Sequence, residues 1–322
     1  MGVSPTYWTI GLSPRKVEVI KGINIKLLNT TIPQDWLNSI FIGLDQVAKE
    51  FRPDFMWMIE EPHTLFALQG LEIAKKLECK YGVFTWENIV KFFPTPYKQN
   101  EQRVLEGADV IIVGNTEAKE VFIHYKNAQR EKMVVMPMVG IDTNFFHPKN
   151  CEKKYTTLYV GNMLPWKGCP YIDAVVRELG TEHLWVGEGT YSPMYGDRAG
   201  YGDYLKLPDY YNSAKFTIHF SLPTESWKEQ FNYVSCESLS CGLPVIVENS
   251  RIMKELFNGC KAVNFVEEGN VKSLRNKVKM LLEKDDKELE KMGKEGRKHI
   301  EKNFSNKIIA KRLIDCIKMI IQ

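Results

Sequence analysis

Two α/β domains with largely parallel sheets are what this sequence predicts, and three observations carry the prediction. Short apolar runs alternate with segments of helical periodicity along most of the chain, the pattern of strand–helix–strand units. At 322 residues the chain exceeds what one hydrophobic core comfortably fills. The alternation is interrupted once, at GIDTNFFHPKNCEKK (140–154), where turn formers and charge collect; this places a first domain at 1–148 and a second at 149–322.

The elements follow in order. In the first half, FMWMI (55–59), YGVFT (81–85), DVIIVG (109–114) and MVVMP (133–137) read as strands. Between them, SIFIGLDQVAKEF (39–51) sets Ile40, Leu44 and Val47 on one helical face, and TLFALQGLEIAKKL (64–77) does so with Leu68, Leu71 and Ala74. In the second half TLYVG (157–161), HLWVG (183–187), FTIHFS (216–221) and PVIVE (244–248) are the strands. From about Val271 the chain reads as lysine-rich helix, closing on Ile309, Leu313, Ile317 and Ile320 at helical spacing.

Composition bounds the function. Hydrophobic residues at 44% and charged residues at 26% describe an ordinary soluble globular protein. A formal charge of +3, from 43 basic against 40 acidic residues, is too small to make nucleic acid the main partner. Seven scattered cysteines without a CxxC pair read as reduced, cytoplasmic thiols. No apolar run approaches the roughly 20 residues of a membrane span, and the N-terminal stretch lacks the apolar core of a signal peptide.

Three stretches carry chemistry. In TLYVGNMLPWKGCPYIDAVVREL a strand ends at Gly161, a loop carries Trp166, Lys167 and Gly168, and Pro170 opens a helix at its first position. Free N–H groups and the positive helix end attract an anion, to which Lys167 adds a point charge; the plainer alternative is an ordinary lysine-glycine turn. WVGEGTY (185–191) repeats the logic with Gly187 and Gly189 but lacks the third glycine of a dinucleotide fingerprint, which weakens a nicotinamide reading.

The third stretch, EQFNYVSCESLSCGLPVIVEN (229–249), sets Glu229 before a helix starting near Asn232 and Glu237 just over one turn inside it, with the helix stopping at Gly242. In a parallel sheet, ligands occupy the crevice at the carboxyl ends of the strands, so both carboxylates can face one ligand. A glycosidase pair is one reading. A solvated Glu229 with a surface Glu237 is the other.

Taken in order, YVGNMLPWKG, VGEGTY, LPDYYNSAKFTIHFS and Glu-x7-Glu followed by SCGLPVIV resemble the retaining GT-B glycosyltransferases of family 4 (group 1 type) over residues 134–322, and MPMVGIDTNFFHP resembles their interdomain segment. The resemblance implies a GT-B fold: two Rossmann-like, doubly wound domains facing a central cleft, with the C-terminal helix packing back towards the N-terminal domain. It implies transfer of a hexose-type sugar, with retention, from a UDP- or GDP-linked donor to a glycan or lipid-linked acceptor, with neither a cofactor nor a metal. Carried over by position, Lys167 holds the donor diphosphate, Glu237 accepts the ribose hydroxyls and Glu229 reads the sugar, with Gly161, Asn162, Gly187, Glu188, Gln230, Phe231 and Asn232 completing the donor site.

An ionised carboxylate accepts two hydroxyl donors at once, so neither glutamate need be a nucleophile. Two positions depart from the pattern: Asn162 replaces an arginine, and Gln230, Phe231 and Asn232 replace Gly-Phe-Gly. A GT-B epimerase or phosphorylase, or a nucleotide- or glycan-binding protein without catalysis, stays open beside this reading.

In the first half the likeness is looser, and the first βα unit is expected to be reduced. Gly11 falls where two glycines are common; Glu87, in VFTWENI, occupies the place of a histidine facing the donor sugar and joins Glu229 and Lys167 as a catalytic candidate. Trp86, Asn115 and His63, the last flanked by Glu60 and Glu61, are candidates for acceptor contact, and the aromatic stretch IVKFFPTPYK (89–98) is one for weak peripheral contact with a membrane. No two of the six histidines have metal-ligand spacing. His219, inside an apolar strand, reads as a satisfied core residue.

Overall fold

The alternation resolves into two units in a computed structural model, which describes all residues except 6, 11–12, 17–23 and 33–34. One unit is Met1–Met138 together with Leu313–Gln322; the other is Val139–Arg312. The division thus falls ten residues before the place the sequence indicated, and the last ten residues belong with the first unit. Hydrogen bonding explains the earlier boundary. Ile141 N–H donates to Phe304 O at 2.7 Å and Asn306 N–H to Ile141 O at 2.9 Å, while the Arg297 guanidinium donates to Thr143 O, Phe146 O and Ser240 O. Segment 139–148 finds its backbone partners inside the second unit.

The first unit is built on a four-stranded parallel sheet in the order β5-β6-β7-β8, with β5 Phe55–Met58, β6 Lys80–Thr85, β7 Val110–Val113 and β8 Met133–Val135. Met58, Val83, Ile111 and Met133 stand opposite one another across it, all buried. Covered on both faces, such strands read as continuous apolar runs. Ahead of them, β1 (Gly2–Pro5) pairs in parallel with β4 (Ile25–Leu28), and β2 (Tyr7–Ile10) pairs antiparallel with β3 (Ser13–Lys16).

Helix α1 covers Leu44–Phe51 rather than the expected 39–51. Gly43 sits in the left-handed region at φ 80°, and Phe41 is engaged instead in a bridge to Thr30 and in a reciprocal pair of hydrogen bonds with the Gln69 amide. α2 (Leu65–Leu77) forms as expected, capped by Thr64, whose hydroxyl accepts Ala67 N–H; α3 (Tyr97–Gly107) and α4 (Thr116–Tyr125) complete the described helices of the unit's sheet connections.

The second unit carries six parallel strands: β9 Tyr155–Val160, β10 His183–Val186, β11 Asp197–Arg198, β12 Ala214–Ile218, β13 Val245–Glu248 and β14 Val263–Val266. Their order, β11-β10-β9-β12-β13-β14, is the 3-2-1-4-5-6 winding of a Rossmann sheet, whose switch point lies between β9 and β12. Tyr159, Trp185, Phe216, Ile218, Ile246 and Val266 join Val175, Val176, Leu274 and Val278 in one core, which packs this sheet against α5 (Cys169–Leu179) and α9 (Val271–Leu282).

Pro170 is the second residue of α5 rather than its first, because Gly168, at φ 76°, hands the chain over one residue earlier. Between the strands also lie α6 (Leu207–Asn212), α7 (Tyr233–Ser240) and α8 (Arg251–Leu256). Strand β14 and helix α8 carried no sequence expectation. The lysine-rich tail forms α10 (Asp286–Asn303), opened by an Asp285–Glu288 capping box, and α11 (Asn306–Ile321). Gly293 and Gly296 bring α10 against the end of α7: a Cβ on Gly293 would collide with Gly242 O, and one on Gly296 with the Leu239 side chain. No helix among the described residues is long and apolar enough to cross a membrane.

Candidate active site

The two stretches that flank the switch point of the second unit meet in an ion pair. Lys167 follows β9 in the short turn Pro165–Lys167, and Glu229 follows β12. Lys167 Nζ donates to Glu229 Oε2 at 2.8 Å, Ser221 Oγ donates to the same oxygen at 3.1 Å, and the ammonium lies 4.1 Å from the centroid of the Trp227 ring. Gly168 makes the turn possible, since a Cβ there would strike the Phe220 carbonyl. The lysine thus reaches the carboxyl edge of β12, where an open α/β sheet binds its ligands.

Gly161 and Gly187 pack backbone to backbone beside this pair, and a side chain on Gly187 would collide with Gly161 O. Met163 N–H donates to the Glu188 carbonyl at 2.8 Å, and the Asn162 carbonyl accepts the Tyr159 hydroxyl at 2.8 Å, leaving the side chains of Asn162 and Glu188 exposed. Buried Asp173 on α5 accepts from Tyr191 OH, Met194 N–H and Tyr195 N–H, which fixes the segment after WVGEG on the helix.

Glu237 lies inside α7, 8% exposed, and accepts the Tyr211 hydroxyl at 2.8 Å. Burial pushes Glu237 up to about 7, although the Tyr211 hydroxyl pulls the other way. Asn232 caps the helix, accepting Ser235 N–H at 3.0 Å. Phe231 is buried against Tyr233 and Phe304, so its ring belongs to the core, while Gln230 is partly buried. His219 is buried without a partner for Nε2 among the described residues, and burial, followed by the Lys167 charge, lowers it to about 3. It is a neutral core ring, but with an unsatisfied nitrogen where the sequence suggested a satisfied one.

The candidates of the first unit gather at the carboxyl ends of β5, β6 and β7. Glu61 accepts from the Thr85 hydroxyl and from Trp86 N–H at 3.0 Å, and burial pushes it up to about 7; burial and the neighbouring Glu61 do the same to Glu60. Glu87 accepts from Lys91 at 3.0 Å, and Trp86 lies over Gly114, where any side chain would collide with its ring. Asn115 caps α4 through Ala118 N–H. His63 is buried, stacked on Phe93 at 3.9 Å and edge-on to Trp36 at 5.7 Å. Burial, with the charges of Lys126 and Lys91, lowers it to about 4. Gly11 lies outside the described residues.

Sequence reasoning missed Trp227, Ser221 and Tyr211, which hold Lys167, Glu229 and Glu237 respectively. A tryptophan two residues before Glu229 was the available signal for the first; nothing local marks the other two. Among the described residues no group of three or more His, Cys, Asp or Glu is placed to hold a metal ion, and all seven cysteines are free.

A Rossmann sheet whose switch point carries a lysine, a paired carboxylate and a second, buried carboxylate on the following helix is equipped to bind an anionic ligand that also bears hydroxyl groups. Residues 173–315 match a protein family described as glycosyl transferase-like, and that stretch contains Glu229 and Glu237. No curated protein matches the chain in sequence. Among solved structures, Anabaena HepE in complex with UDP is similar at a TM-score of 0.72, with 14% identity over 86% of this chain and 81% of that one. A glycosyltransferase from Rickettsia africae aligns at 0.70, with 17% identity over 87% and 80%. Sucrose-phosphate synthase from Thermosynechococcus elongatus aligns at 0.66, with 16% identity over 98% and 86%. The fold is GT-B, with a Rossmann-like sheet in each unit.

Proposed function

We propose that the chain is a metal-independent, retaining glycosyltransferase that takes a hexose-type sugar from a UDP- or GDP-linked donor. The observation that carries this reading is the Lys167–Glu229 ion pair at the switch point of the second unit, with Glu237 buried on the helix that follows β12, in the order that the resemblance to family 4 implies. The family match over 173–315 supports the transferase class, and similarity to a UDP-bound protein supports a nucleotide donor.

Lys167 turns from Glu229 to the donor diphosphate and neutralises the charge that builds on it as the bond from the anomeric carbon to the phosphate oxygen breaks. Glu237 accepts the two ribose hydroxyls. These donors favour its ionised form, so a group pushed up by burial loses its proton as the nucleotide seats. Glu229 accepts hydroxyls of the transferred sugar. The acceptor oxygen bonds to the anomeric carbon on the face the diphosphate leaves, and its proton passes to the departing phosphate oxygen. The polar cluster around His63, Trp86, Glu87 and Asn115 is the candidate acceptor surface, with a glycan or a lipid-linked sugar as acceptor. Reduced thiols and nucleotide donors fit a cytoplasmic enzyme, in peripheral contact with a membrane if the acceptor is lipid-linked.

Thermal denaturation with UDP, GDP, ADP and NAD tests the donor site. Stabilisation by UDP or GDP, lost in Lys167→Ala and Glu237→Ala, is the expected result. NMR of the product then reads the anomeric configuration, with chelator present throughout. Stabilisation by NAD alone, or by no nucleotide, refutes the proposal. An altered nucleotide-sugar formed without acceptor would instead mark an epimerase.

A further inference from the structure

Glu248 is the last residue of β13 and takes no part in the roles assigned so far. It stands at the sheet edge beyond which Ser221 and Glu229 follow β12 and Lys167 follows β9. Its side chain is 1% exposed, and neither carboxyl oxygen has a hydrogen-bond partner among the described residues. A carboxylate stripped of water with no donor in its place is strongly disfavoured, whereas the neutral acid tolerates such a position. The charges around it act in the same sense. Burial first, then the carboxylates of Glu229 and Glu268, raise Glu248 well above the usual range, and the Lys167 ammonium offsets this only in part.

Glu229 and Glu248 therefore lie at the same carboxyl end of the sheet in opposite environments. Glu229 is tied to a lysine and a serine hydroxyl, and Glu248 is dry and unpaired. Of the two, the dry one is the group that burial keeps protonated. Lys167 with Glu229 alone is a neutral pair, so the lysine can exchange one anionic partner for another. A second ionised carboxylate would leave the pair with net negative charge, and it would repel an incoming diphosphate.

We propose that Glu248 is a positioning residue of the diphosphate site: an uncharged carboxyl beside the Lys167–Glu229 pair that keeps a second negative charge away from the bound anion and donates a hydrogen bond to Glu229 once Lys167 turns to the diphosphate. This inference rests on the donor-site reading above. No covalent bond changes in the exchange. The Glu229 oxygen gives up the lysine N–H and gains the Glu248 O–H, an acid–carboxylate bond of the strong, charge-assisted kind.

Infrared difference spectra and calorimetric binding of UDP and GDP to the whole chain test it. At about pH 8, wild type minus Glu248→Gln is expected to show the carbonyl stretch of a protonated carboxyl, moving to lower frequency when the nucleotide binds. Gln, a neutral donor of the same length, is expected to keep nucleotide affinity within about threefold, whereas Glu248→Leu, which has no donor, loses about tenfold, the effect of one lost hydrogen bond. A carboxylate band in the same difference spectrum overturns the proposal, as does an acid band that ignores the nucleotide, or a Gln variant that binds as poorly as Leu. Should Leu fail to fold, the spectrum and the Gln variant still decide. Failure of the donor-site reading has a separate signature: wild type itself then binds neither nucleotide, with the acid band present or not.

Discussion

Replacing Glu237 by glutamine is expected to strengthen the ligand-free fold while removing nucleotide binding, and the size of the gain follows from the burial of one carboxyl. Burial moves Glu237 from 4.5 to about 7. Between those values the folded chain still holds a proton that the unfolded chain has released, so stability falls as pH rises through the window, and the whole deficit persists above it. Two and a half pH units at about 1.4 kcal/mol each make roughly 3 kcal/mol. Glutamine has no charge to desolvate, keeps the length of the side chain, and still accepts the Tyr211 hydroxyl. Variant and wild type should therefore be nearly equal near pH 4.5 and differ by about 3 kcal/mol near pH 8, or some 6–12 °C in the melting temperature of a domain of this size. Melting curves across that range, followed by circular dichroism without ligand, provide the assay. A difference that does not change with pH, or a variant less stable at pH 8, would refute the reasoning.

Three further outcomes are expected. Gly168→Ala combines a left-handed φ with a collision at Phe220 O and should cost more than about 3 kcal/mol, against about 1 kcal/mol for Gly180→Ala, which has a similar φ but open space around it; urea unfolding separates the two. Lys126→Met strands the Glu101 carboxylate, its partner at 3.0 Å in a buried pair, and should cost about 3–5 kcal/mol, most of which the added Glu101→Leu change recovers. His63, lowered to about 4 by burial, should stay uncharged from pH 5 to 8; a ring proton resonance titrating near 6.5 would show that the stack on Phe93 leaves it open to water.

Both parallel sheets were readable because strands covered on two faces carry unbroken apolar runs such as VIIV and HLWV, and glycines bound them where the chain turns into the following loop. The places of Lys167 and the two glutamates in the fold were readable for the same reason: their segments sit at fixed points in the strand–helix order. What was not readable depends on contacts remote in sequence. The periodicity around Ile40 suits a helix, but Gly43 and the Gln69 amide 28 residues from Phe41 override it. Tyr211 meets Glu237 across 26 residues, and Lys126 meets Glu101 across 25. The ring of Phe231 packs on Phe304, a contact across more than 70 residues. The division between units lies ten residues before the boundary that the turn formers at 140–154 suggested, because such residues mark where a chain bends and not which unit supplies its hydrogen bonds.

If Lys167 holds a donor diphosphate as proposed, its pairing with Glu229 has a consequence for selectivity among anions. Glu229 is a competitor tethered to the same chain as the site it blocks, 2.8 Å from the ammonium, and a tethered group competes at an effective concentration of about millimolar or above. Free phosphate, sulfate or a small carboxylate at ordinary concentration meets a rival already in place. On that reading, a ligand that brings a diphosphate together with hydroxyl groups for the two glutamates would displace that rival and give the released carboxylate new donors, so occupancy would follow the whole molecule and not its charge alone.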